Sequence, residues 1–290
     1  RDFCLSRGLG DVYKRQTLQL SFLSYLFRRF PLEYSFAAAG RYGFDGVEIW
    51  GARPHAYPPD LDAGEIADIR RAARENRVRI SAYTPELLAY PYNLVSPLEK
   101  EREETQQYLA RALEIAAELE AERVLFTLPH PGYAARREKV LAEAVQRLKQ
   151  LSDLAQRLGV KLMLETLSPS ESSLITTADE AQDLLEQVAS DAMTVMLDLV
   201  PPTIANEPLA SYLDRFAGRL DYVHVCNSDG ASEFHAELGQ GVLPLQDVFD
   251  VLQRHGFDGW YSIELLSPYF RDPELYLANS KRLMDSFFRK

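Results

Sequence analysis

Four ionisable residues stand directly behind short apolar runs in the second half of the chain. Leu162-Met163-Leu164 runs into Glu165, Val195-Met196-Leu197 into Asp198, Tyr222-Val223 into His224, and Tyr261-Ser262-Ile263 into Glu264. A parallel strand buried on both faces reads as continuous apolar sequence, so a charge at its C-terminal end requires a reason. Singly, each residue is also what a solvated loop or a hydrogen-bonded structural histidine would show. Together they differ, because three carboxylates brought close would raise one another's pKa unless a cation neutralised them. Three carboxylates and one imidazole form a hard, oxygen-rich donor set, better suited to Mn²⁺, Mg²⁺ or Co²⁺ than a thiolate cage would be. The expectation is one divalent metal ion held by Glu165, Asp198, His224 and Glu264, with Mn²⁺ favoured and Zn²⁺ kept among the candidates.

Such a site exists only if the four runs are neighbouring strands. From Thr17 onward, short β-type runs alternate with longer helical patterns, the signature of parallel βα units. Strands are expected at Leu18 to Leu23, Gly46 to Trp50, Arg79 to Tyr83, Arg123 to Thr127, Lys161 to Thr166, Thr194 to Leu199, Asp221 to Cys226 and Trp260 to Leu265. Helices are expected at Ala63 to Arg77, Pro97 to Glu120, Arg136 to Leu158, Thr177 to Ala189, Leu209 to Phe216 and Pro244 to His255. Eight such pairs match the ~250 residues of a (β/α)8 TIM barrel, whose functional groups gather at the C-terminal ends of the strands. A doubly wound sheet alternates in the same way but usually opens on a glycine-rich turn, and neither GxGxxG nor GxxxxGK[ST] occurs here. Gly43, Gly159 and Gly256 each stand between a helical pattern and a strand, where glycine can end a helix in a left-handed conformation.

The 290 residues carry 32 Lys+Arg against 43 Asp+Glu, a net charge of −11, with 46% hydrophobic residues. That balance disfavours nucleic acid and anionic membranes as partners. Charges interrupt every apolar run before the ~20 residues a membrane span needs. Two cysteines, Cys4 and Cys226, are too few for a disulfide framework and agree with a reducing, cytoplasmic setting. Arg1 to Gln16 does not read as folded structure; Ser6 to Gln16 resembles a translated sequencing adapter, so residues 1–16 are set apart from a barrel over 17–290.

Loop and strand residues near the other ends are weighed as ligand contacts. Glu48 in Val47-Glu48-Ile49-Trp50 either faces the mouth and binds substrate or lies in an ion pair inside the barrel. Arg53 and His55 could read a polar ligand from their loop, and Tyr83 with Tyr90-Pro91-Tyr92-Asn93 could wall a pocket.

Several phrases, among them Gly43-Phe-Asp-Gly-Val-Glu-Ile-Trp-Gly, Arg53-Pro-His, Tyr83-Thr-Pro-Glu, Tyr90-Pro-Tyr-Asn, Ser168-Pro-Ser-Glu-Ser and Ser228-Asp-Gly-Ala-Ser, are specific when taken together. In them the chain resembles the sugar-phosphate isomerase and epimerase superfamily, the xylose-isomerase-like TIM barrels, and within it the fructoselysine 3-epimerases. The resemblance implies a metal on the same four residues, Glu165 and Glu264 as acid and base, and Glu171 touching substrate near the reacting carbon. It also implies inversion at carbon 3 of a ketose or ketosamine through an enediolate. The partner is then a small sugar or sugar amine, with homo-oligomerisation left open. The chain departs from that pattern at Tyr222, Asn227 and Gly239-Gln240-Gly241, in the part of the site that the resemblance assigns to the distal half of the sugar. An aldose-ketose isomerase or inosose dehydratase would use similar ligands. An endonuclease-IV-like phosphodiester hydrolase should carry more histidines than the 5 present and a basic surface, and a non-catalytic sugar-binding barrel need not keep both glutamates.

Overall fold

The computed structural model describes residues 18–288, so the adapter-like segment and Cys4 lie outside the described residues. Eight parallel strands form one sheet: β1 (Gln19–Phe22), β2 (Gly46–Gly51), β3 (Arg79–Pro85), β4 (Arg123–Phe126), β5 (Lys161–Leu164), β6 (Met193–Asp198), β7 (Leu220–Val225) and, after a small hairpin of β8 (Asn227–Ser228) and β9 (His235–Ala236), β10 (Trp260–Ile263). The sheet order is β1-β10-β7-β6-β5-β4-β3-β2. A parallel bridge between Leu23 and Glu48 joins its two edges into a barrel.

Helices wrap the outside: α1 (Leu32–Tyr42), α2 (Ala63–Glu75), α3 (Glu99–Glu118), α4 (Arg137–Leu158), α5 (Ala178–Val188), the short α6 (Val200–Ile204) and α7 (Ala210–Arg215), α8 (Leu245–Arg254) and α9 (Pro273–Phe288). Each expected strand and helix is found within a few residues of its expected ends. Gly43 and Gly159 follow α1 and α4 with φ of 74° and 71°, the left-handed helix stop anticipated there. Among the described residues, no helix is long and apolar enough to cross a membrane.

Strand alternation sorts the side chains into two cores. Leu162, Leu164, Val195, Leu197, Val223, Val225, Tyr261 and Ile263 join the large cluster shared with the helices. Their neighbours Met163, Met196, Tyr222 and Trp260 pack with Ala82 and Leu125 in a separate cluster inside the barrel. Two residues further along each of those strands, on the same inward face, stand Glu165, Asp198, His224 and Ser262. Glu264 follows Ser262 at the next inward position. The parity that fills the barrel floor with Met, Tyr and Trp therefore carries the ionisable residues to the mouth.

Candidate metal centre

Register brings the four residues together. Asp198 on β6 pairs directly with His224 on β7, and His224 pairs with Ser262 on β10. Glu264 N–H donates to Val225 O (3.1 Å) and Glu165 N–H to Phe126 O (3.0 Å), which extends the ladder by one residue past the ends of β10 and β5. Ligand atoms of Glu165, Asp198, His224 and Glu264 all lie within 4.8 Å of one another. His224 Nδ1 approaches Glu264 Oε2 to 2.7 Å and Glu165 Oε1 to 3.6 Å.

The opposite edge of the imidazole is fixed from below. His224 Nε2 lies 2.9 and 3.0 Å from the two carboxylate oxygens of Glu48, which is fully buried. Tyr222 Oη (2.9 Å), Ser262 Oγ (2.7 Å) and Thr84 Oγ1 (2.6 Å) also donate to that carboxylate. Burial alone would raise the Glu48 pKa, but the His224 charge and these donors hold it below the ordinary value. Glu48 is thus an anion saturated by four protein donors, and the mouth-facing alternative for it is corrected: it supports the histidine. An irregularity in the β2–β3 ladder between Val47 and Glu48 accompanies this inward turn.

The charge balance above the floor is asymmetric. Burial, opposed by His224 but aided by Glu264 and Asp198, pushes the Glu165 carboxyl up to about 8. Glu264 goes the other way: despite burial, His224 and His235 hold it well below the usual carboxylate range. Burial would lower the His224 pKa, but the Glu48 and Glu264 charges prevail and keep it well above the ordinary histidine value. His224 Nδ1 and Glu264 Oε2 are buried and make no hydrogen bond. A buried imidazole nitrogen and a carboxylate oxygen that meet at 2.7 Å without an aligned hydrogen bond, beside two further carboxylates, are what a hard divalent cation would satisfy, so the donor set fits the ion the sequence suggests.

His235 was not anticipated. It is carried by β9 of the hairpin, buried, with Nε2 3.1 Å from Asp198 Oδ2 and 3.4 Å from Glu264 Oε2. With Asp198 and Cys226 it forms a second group of close ligand atoms sharing Asp198 with the first. The remaining oxygen of Asp198 accepts from Val200 N–H (2.8 Å), the start of α6. Glu171 lies on the loop after β5, where burial and the charges of Glu233 and Asp198 raise its carboxyl to about 7.

Other expected contacts fall elsewhere. Tyr83 is buried in the main core with its hydroxyl donating to Ala56 O (2.6 Å), so it supports the loop after β2. His55 bridges Ser24 Oγ (3.0 Å) and the carbonyls of Phe27 and Phe30 (3.2 and 3.1 Å), tying that loop to the turn after β1. Arg53 is exposed, paired with Asp60 (2.5 Å) and laid over the Tyr57 ring. Asn227 and Gly241 close the hairpin loop. Asn227 Oδ1 accepts from Ser228 and Leu243 N–H (2.8 and 2.9 Å), and a Cβ on Gly241 would come within 2.3 Å of that oxygen.

Comparison with known proteins agrees with this architecture. The profile of the family described as xylose isomerase-like TIM barrel matches residues 36–287. The chain is 36% identical over 250 residues to the fructoselysine 3-epimerase of Escherichia coli O157:H7, covering 86% of this chain and 90% of that one. The crystal structure of D-psicose 3-epimerase with D-tagatose from Clostridium cellulolyticum H10 superposes with a TM-score of 0.76 at 17% identity, covering 92% of this chain and 99% of the other. A structure of the IOLI protein with a bound zinc atom superposes with a TM-score of 0.80 at 19% identity, covering 93% and 98%.

Proposed function

The chain belongs to the xylose isomerase-like TIM-barrel family, and from that premise we propose that it is a divalent-metal-dependent sugar epimerase that inverts carbon 3 of a ketose or ketosamine. The observation that carries the reading is the convergence of Glu165, Asp198, His224 and Glu264 within 4.8 Å at the mouth of the barrel. The epimerase relative supports the reaction type.

Glu165, Asp198, His224 and Glu264 would hold the ion, Mn²⁺ in preference to Mg²⁺, Co²⁺ or Zn²⁺. A divalent ion there supplies positive charge against a ketone oxygen and its neighbouring hydroxyl, lowering the cost of the enediolate charge that appears when the carbon-3 proton leaves. The chain's own groups do the rest. Glu165 and Glu264 reach in from strands separated by β6 and β7, so a sugar bound between them meets one carboxylate on each face. One takes the carbon-3 proton and the other delivers a proton to the opposite face, which inverts the centre without net change in protonation. Glu48 keeps Nε2 of His224 protonated and leaves Nδ1 as the nitrogen that faces the site. Asp198 is held by Val200 N–H and His235, which fixes the direction of its second oxygen. Glu171, whose carboxyl burial and neighbouring charges raise to about 7, would hold a substrate hydroxyl near the reacting carbon.

A proton NMR screen in deuterated buffer tests this, using free ketoses and fructosyl amines with metal removed and then Mn²⁺ added. Metal-dependent loss of the carbon-3 proton signal, with the epimer appearing, is the expected result. Exchange confined to carbon 1 or 2 would instead mark an aldose-ketose isomerase, and hydroxyl loss a dehydratase.

A further inference from the structure

Arg28 lies in the turn after β1, on a part of the mouth that none of the metal-site residues occupies. Its guanidinium carbon is 4.8 Å from the ring centroid of Tyr25 and 5.5 Å from those of Trp50 and Phe270. Tyr25 itself packs edge-on against Trp50 and Phe270, with centroids 4.6 and 5.1 Å apart. The three rings come from three different strand ends. Tyr25 belongs to the turn Ser24–Phe27 after β1, Trp50 to the end of β2, and Phe270 to the turn Tyr269–Arg271 after β10. Leu23 N–H donates to Ile263 O (2.9 Å), which ties the start of the Arg28 turn to the residue before Glu264. Trp50 N–H donates to Ser24 Oγ (2.9 Å), which ties the same turn to β2. The aromatic walls are therefore built onto the strand that carries one of the two proposed bases.

The guanidinium in this box is unpaired. Its side chain makes one hydrogen bond, from Nη1 to Tyr25 Oη (2.5 Å), and no carboxylate lies within ion-pair reach of it among the described residues. Glu86, at the neighbouring end of β3, is committed to Trp50 Nε1 (2.9 Å) and to the N–H groups of Leu88 and Ala89 (both 2.9 Å). In a chain of net charge −11, a half-buried arginine without a carboxylate is conspicuous. Guanidinium is the side chain that can stack on aromatic faces and still present a planar fork of free donors matching a carboxylate or phosphate. The surrounding rings exclude water from one side of that fork, which strengthens what it binds.

We propose that Arg28 anchors an oxyanion carried by the substrate away from its reacting carbon, either the carboxylate of an amino-acid-derived ketosamine or the phosphate of a ketose phosphate. This inference rests on the epimerase reading of the neighbouring site, and it makes the enzyme selective for anionic sugars. The metal-site carboxylates cannot supply that selectivity, since they repel an anion. The rings hold the guanidinium in place, so the charge meets the substrate without first being ordered.

The experiment compares four compounds on the Mn²⁺-loaded protein: the fructosyl derivative of 6-aminohexanoate, that of 6-aminohexanol, fructose 6-phosphate and fructose. Binding is measured by calorimetry and turnover by NMR. The wild type should favour at least one anionic compound over its neutral counterpart by about tenfold or more in Kd, and the hexanoate against the phosphate tells which oxyanion is the native one. Arg28→Gln should bring that ratio close to one, whereas Arg28→Lys should retain part of it. Equal binding of anionic and neutral compounds by the wild type overturns the proposal and needs no variant. So does an undiminished preference in Arg28→Gln. Because binding is read separately from turnover, anion-selective binding without carbon-3 inversion would reject the epimerase reading while leaving the role of Arg28 supported.

Discussion

With Nε2 of His224 turned to a carboxylate that only accepts, Nδ1 is the atom left to face Glu165 and Glu264, and the whole site depends on that choice. Glu48→Gln removes the charge that sets it while keeping an acceptor of similar shape. The metal affinity of this variant should fall by roughly 10–100-fold, read by competitive titration with a chromophoric chelator, even though Glu48 reaches the site only through the far edge of the His224 ring. Unchanged affinity would make Glu48 only a core polar group. The four candidate ligands were legible in sequence because each interrupts an apolar run at its C-terminal end, where a buried strand has no other use for a charge. Glu48 was legible only as a pair of alternatives. Period-two alternation fixes which face a side chain takes, but its height in the barrel depends on strand stagger and on the irregularity after Val47, and neither leaves a mark in the sequence. His55 and Tyr83 illustrate the converse: residue types capable of chemistry, placed beside the site, are consumed by hydrogen bonds that hold the loop.

At the scale of elements, the β8–β9 hairpin is the piece that sequence reading did not supply. Its strands are two residues each, too short for any hydrophobic period, so nothing marked His235 as the residue that would lie against Asp198. What fixes the hairpin is Asn227, which accepts from two backbone N–H groups and donates to Leu243 O (3.1 Å) while buried. Asn227→Ala would leave those N–H groups unpaired at a cost of about 1–3 kcal/mol. We expect a lower denaturation midpoint together with reduced kcat/KM, because His235 loses its position on Asp198. Stability loss with full activity would separate the hairpin from the site. The large elements were read nearly to the residue, since a strand buried on both faces and a helix packed on one face leave different apolar periods.

Across the whole molecule, the site links metal, protons and stability. Glu165 is pushed up to about 8 in the folded protein from an ordinary carboxylate value, and Glu171 to about 7. Between those values the native state binds protons that the unfolded chain has released, so these two groups make stability fall as pH rises from about 4.5 toward 8. His224 and His235, whose pKa values are also raised, act with the same sign: their contribution is complete below the unfolded histidine value and is lost as pH climbs through the folded one. A bound cation replaces those protons. The melting temperature of chelator-treated protein should therefore decline between pH 5.5 and 8.5, and the increase produced by Mn²⁺ should grow over the same interval. A metal-induced increase that does not vary with pH would mean that the ion does not displace these protons.

The central claim, two glutamates sharing one ion and serving opposite faces of carbon 3, is tested most directly by deuterium uptake at that carbon from each purified epimer separately, at saturating Mn²⁺, in Glu165→Gln and Glu264→Gln. Glutamine keeps an amide oxygen for the ion but cannot accept a carbon-bound proton. Net epimerisation should disappear in both variants. Each should still exchange deuterium into only the epimer whose proton faces the surviving glutamate, so the two variants label opposite epimers. Full epimerisation by both variants would contradict the two-base account, whatever ion the site is found to hold.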